Sequence, residues 1–166
     1  MTNFEMDLFD TRMTGYKNLA NLQDHEVYAA TTYMFSKKAL AANPKLAEQI
    51  IKAHAEAIHR FYADKAFAVQ AYLAFDKQPE ADINRIYDIY NKGQIFDLIP
   101  YVLAPAVKSI VSQQVDPRLA ADLKAFDFHK VVDNSTVERL VKEGYFVKLF
   151  GDAAKAEEQR RAKLAF

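Results

Sequence analysis

His54, Glu56 and His59 are the residues whose types most readily suggest chemistry. They sit together in NPKLAEQIIKAHAEAIHRFY, a stretch with helical spacing of apolar residues. A step of five residues turns an α-helix by about 140°. His54 and His59 therefore fall on different faces, and the i,i+4 spacing of helical zinc ligands is missed. Glu56-x-x-His59 does match half of a di-iron carboxylate site in a four-helix bundle. Such a site needs a second Glu-x-x-His and further glutamates on other helices, and the sequence holds no second copy. The expectation is a solvent-facing Glu–His pair beside a core-edge His54, with no metal. Asp24-His25-Glu26 reads as a mixed polar turn.

Other reactive groups are scarce. There is no cysteine, which removes disulfides, zinc-thiolate sites and thiol nucleophiles. Ser36, Ser109, Ser112 and Ser135 have no histidine next to them, and no Gly-x-Ser-x-Gly elbow occurs. No glycine-rich phosphate loop is present. Glu157 and Glu158 lie on a charged tail and read as a solvated helix face. The 12 Phe and 9 Tyr mostly fall on apolar stripes, which points to core packing with hydroxyls at the rim. Tyr28 and Tyr33 stand out, because EVYAATTYMFSKK alternates polar and aromatic residues. A strand of that pattern can present one edge to a pocket; core packing is the competing account.

Helices must position these residues. EVYAATTYMFSKK (26–38) is the best strand candidate. From Asn43 onward helix signals dominate. Asn43-Pro44 reads as cap and first turn, followed by an apolar face of Leu46, Ile50, His54, Ala57, Ile58 and Phe61. Asp64 is the candidate cap of the next helix, 64–75, whose broad apolar surface suggests a central place. Residues 78–93 start at Pro79, end near Gly93 and bury Ile83, Ile86, Tyr87 and Tyr90. Residues 99–114 start at Pro100, with Pro105 either kinking the helix or marking its real start. Asp116-Pro117 repeats the cap-plus-proline signal. Ser135-x-x-Glu138 reads as a capping box, with Asp133 near the positive helix end and Gly144 as a left-handed stop. The tail after Gly151 is helical by propensity but has little to bury before Leu164 and Phe166, so fraying is expected.

The chain has 166 residues, 51% of them hydrophobic and 27% charged, the balance of a globular chain with a sizeable core. Lys+Arg and Asp+Glu are both 22, so the formal charge is zero. That argues against nucleic-acid binding and against an electrostatic membrane anchor. No apolar run reaches the ~20 residues that span a bilayer. The opening MTNFEMDLFDTRMTG has neither the basic region nor the apolar stretch of a secretion signal. No repeat, linker or composition shift divides the chain. The expectation is one mainly α domain over 1–166, with about six helices and one or two short strands around 26–36.

Several pieces resemble, in order, the C-terminal part of the periplasmic solute-binding proteins of ABC transporters, in the branch handling sulfonates, taurine, nitrate and thiamine precursors. They are GYKNLANLQDHEVYAATTYMFSKKALAANPKLAEQIIKAHAEAIHRF, then DINRIYDIYNKGQIFDLIPYVLAPAVKSIVSQQ, then DPR followed by DFHKVVDNSTVERLVKEGYF. Together they cover roughly 15–150, leaving 152–166 as a charged C-terminal helix or tail. The resemblance implies a two-lobe α/β fold about twice this length, of which this chain would be the last half, truncated or split. It implies that 26–36 crosses back to the first lobe, with Tyr28, Thr31 and Tyr33 as ligand contacts. It implies a small organic or anionic ligand, an ABC permease or a missing N-terminal lobe as partner, a periplasmic or extracellular place, and no catalysis, metal or cofactor. Without the first lobe's sheet, the apolar helix faces must pack on each other or on a partner. The alternative from another class is a stand-alone helical interaction or regulatory protein acting as a homodimer through those faces.

Overall fold

Carboxylates and a hydroxyl set several of the helix starts. The computed structural model describes residues 32–166, and within them the chain is mainly helical with no sheet. Nine α-helices occur among these residues: α1 Lys37–Ala42, α2 Leu46–Ala63, α3 Lys65–Phe75, α4 Glu80–Gly93, α5 Ala104–Ser112, α6 Pro117–Ala125, α7 Ser135–Lys142, α8 Tyr145–Phe150 and α9 Asp152–Arg161. The sequence led to about six; the additions are short helices such as α1 and α8. Ser36 accepts from the Ala39 N–H, Asp64 from Phe67, and Asp116 from Arg118 and Leu119. Each satisfies backbone donors that a first turn leaves open. Pro105 lies in the first turn of α5, so it marks the true start. Pro100 belongs to a non-helical stretch before it.

The chain divides into two compact units, and α2 runs through the division between Ala55 and Glu56. In the unit holding Glu56–Asp97, α3 and α4 pack together. Val69, Ile83 and Tyr87 form its buried core, with Phe61, Ala68, Tyr72 and Leu73 against them. The Tyr87 hydroxyl donates to the Phe61 carbonyl at 2.9 Å, and Phe61 meets Phe96 edge-on at 5.0 Å between centroids. Helix α3 is not central. Val69 is its one buried residue, while Phe67 is 40% and Phe75 89% exposed. Helix α4 and Phe61 cover its Val69 side and the Arg60 guanidinium lies 3.4 Å from the Phe67 ring centroid, while Ala71, Ala74 and Phe75 stay exposed. Helix α4 ends one residue later than expected, with Gln94, not a glycine, in the left-handed conformation.

The second unit, comprising residues 32–55 and 98–166 among those described, is built around the irregular segment 98–103. Leu98, Ile99, Tyr101 and Leu103 are buried there, so their backbone groups need partners inside the protein. Side chains supply several. Glu157 Oε1 accepts from the N–H groups of Leu98 and Ile99, at 2.9 and 3.2 Å. Asn134 Oδ1 accepts from Val102 N–H at 2.9 Å, and Asn134 Nδ2 donates to Val102 O at 3.0 Å. The chain end adds to them: Ala104 N–H donates to Leu164 O, Phe166 N–H donates to Val102 O, and Leu103 and Ala165 form an antiparallel bridge. Helix α9 therefore does not read as a fraying tail. It buries Ala154 and Arg161, and Arg161 Nε lies 3.6 Å from Glu157 Oε1.

The start of α7 also differs from the expected capping box. Ser135 is already the first helical residue, and its N–H donates to Asp133 Oδ1 at 2.8 Å. Asn134, which occupies the cap position, turns its side chain to Val102 instead. Val137 and Leu140 are buried on the inner side of α7, and Phe146 on α8. Gly144 has φ +70°, as expected of a helix stop, and its N–H donates to Val141 O. Gly151 joins α8 to α9 at φ 66°, ψ −144°, a region essentially restricted to glycine.

Two stability measurements follow. Asn134→Ala should lower the unfolding free energy by about 1–3 kcal/mol, because it leaves the half-buried Val102 N–H without its acceptor. Chemical denaturation of Glu157→Ala should show a loss of similar size, and Glu157→Gln, which keeps an acceptor, a smaller one. Gly151→Ala should cost more than Gly144→Ala, about 1–3 against about 1 kcal/mol. Neither alanine meets a steric obstacle, so a thermal melt of the pair isolates backbone strain.

Candidate functional site

Tyr33 is the one sequence-derived candidate inside the described residues; Tyr28 and Thr31 lie outside them. Tyr33 stands on the non-helical stretch 32–36 that leads into Ser36, the cap of α1. The expected strand is absent over 32–36: the described residues contain no sheet, and an aromatic, extended run becomes a strand only when a neighbour supplies the ladder. A side chain fixes it instead. The Tyr33 hydroxyl and His54 Nδ1 are 2.8 Å apart. The two rings meet edge-on, 5.5 Å between centroids at 83°. Phe35 stacks beside Tyr33 at 6.4 Å. Tyr33 remains 47% exposed, so one face of an anchored, hydroxyl-bearing ring is presented to solvent.

His54 is held by the first half of α2. Helix α2 buries Ile51 and Ala55, each next to an expected stripe position, and Ile58, which was expected; Ala57 is exposed. His54 lies at the half-buried margin, where its ring reaches Tyr33. A set of ion pairs ties the same half of α2 to α7. Glu48 bridges Lys52 at 2.6 Å and Arg139 at 2.7 Å, and Arg139 also pairs with Glu143 at 2.9 Å. The Tyr145 hydroxyl donates to the Lys52 carbonyl, and the Lys52 ammonium lies 5.3 Å from the Tyr145 ring centroid. The hydrogen bond from Lys52, followed by that from Arg139, holds the Glu48 carboxyl below its ordinary value. Asp133 is likewise held down, first by the Ser135 hydroxyl and then by its N–H.

Glu56 and His59 are both exposed on α2. Among the described residues no group of three or more His, Asp or Glu side chains could hold a metal ion. Ser36 and Ser135 are engaged at helix starts, and Ser112 donates to the Ser109 carbonyl. The Tyr33–His54 pair can accept or donate a hydrogen bond beside an aromatic face, which is chemistry suited to recognition. The core-edge place expected for His54 holds, since it is half-buried, but its pairing with Tyr33 was not expected. That pairing joins residues 21 positions apart, which no local spacing signals. No helix among the described residues is long and apolar enough to cross a membrane. No family model, curated protein or solved structure matches the chain.

The depressed carboxyls fix the sign of a pH effect. Stability that Glu48 and Asp133 contribute is present above their unfolded values and is lost as pH falls through the lower, folded ones. Between pH 6 and 3 the native chain should therefore lose more stability than Glu48→Gln, measured by denaturant midpoint at each pH. High salt should narrow the difference, because these charges are near the surface.

Proposed function

We propose that the chain is a solute-binding module of an ABC importer, or a truncated derivative of one, for a small organic or anionic solute such as a sulfonate, nitrate or thiamine precursor. The observation that carries this is the exposed Tyr33 ring, anchored through its hydroxyl to His54 at 2.8 Å on the non-helical stretch ahead of α1. The resemblance of roughly 15–150 to the C-terminal part of such proteins supports it, since that likeness assigns ligand contact to the same stretch. In this account Tyr33 acts with Tyr28 and Thr31, the module performs no catalysis and needs no cofactor, and its partners are the permease and an α/β lobe. The place of work is periplasmic or extracellular.

A second account, a stand-alone helical interaction protein acting as a homodimer, is favoured by the side of α3 where Ala71, Ala74 and Phe75 are exposed. Apolar helix faces of this kind are covered in most assembled proteins.

A thermal-shift screen of sulfonates, nitrate, pyrimidines and aromatic carboxylates tests the first account, because a ligand that binds only the native state raises its melting temperature. At least one compound should raise it, and Tyr33→Phe should reduce that shift without unfolding the protein. A flat screen at millimolar concentrations counts against solute binding. Light scattering separates the accounts further: a dimer that Phe75→Lys returns to monomer supports the homodimer.

A further inference from the structure

We draw no further inference here: the strongest candidate, the exposed apolar stripe of α3 formed by Ala71, Ala74 and Phe75, is an unpartnered helix face, and nothing in the structure shows what covers it.

Discussion

The buried backbone of residues 98–103 is the constraint on which the larger unit depends. This segment is apolar in its side chains and irregular in its main chain, so neither a helix nor a sheet ladder satisfies its polar groups. Unpaired, each buried N–H costs about 1–3 kcal/mol. Glu157 covers two of them, Asn134 covers a donor and an acceptor of one residue, and Phe166 N–H adds a second donor to the Val102 carbonyl. The donors and acceptors come from sequence positions more than thirty residues away. Elements α7 and α9 are thereby fixed against one segment, with Phe146, Ile99 and Leu140 as the most deeply buried large side chains around it.

That arrangement also carries through to the candidate site. Helix α7, set in place by Asn134, presents Arg139 to Glu48 on the first turn of α2. The same turns of α2 carry His54, the partner of Tyr33. The position of an exposed tyrosine is thus linked, through two helices and an ion pair, to polar groups buried elsewhere in the same unit. Surface ion pairs of this type are individually weak, typically below about 1 kcal/mol, so the apolar line through Ile51 and Ala55 must do most of the positioning.

What could be read in the sequence was local. Asp64, Asp116-Pro117 and Gly144 announce helix boundaries through their own backbone chemistry, and each behaves as its residue type dictates. The mainly helical class followed from the same signals. What could not be read was tertiary. DAAKAEEQRRAKLAF has the composition of a solvated tail, yet Glu157 and Arg161 are drawn inward because 98–103 needs acceptors. DNSTVE has the letters of a capping box, yet Asn134 is withdrawn to Val102 and Asp133 bonds the first N–H in its place. In α3 the error ran the other way: apolar residues on all sides implied a central helix, but its neighbours leave Ala71, Ala74 and Phe75 exposed. For Tyr33 the residue was legible and its setting was not, since the strand that alternation suggests needs a partner strand that no local pattern guarantees.

Native-state hydrogen exchange at the amides of Leu98, Ile99 and Val102 tests the central claim most directly. Although they lie outside any helix or sheet, these amides should exchange only through near-global opening. In Glu157→Ala, protection of Leu98 and Ile99 should fall selectively while Val102 keeps most of its own. Exchange of all three in the native chain at the rate of an exposed loop would contradict the account.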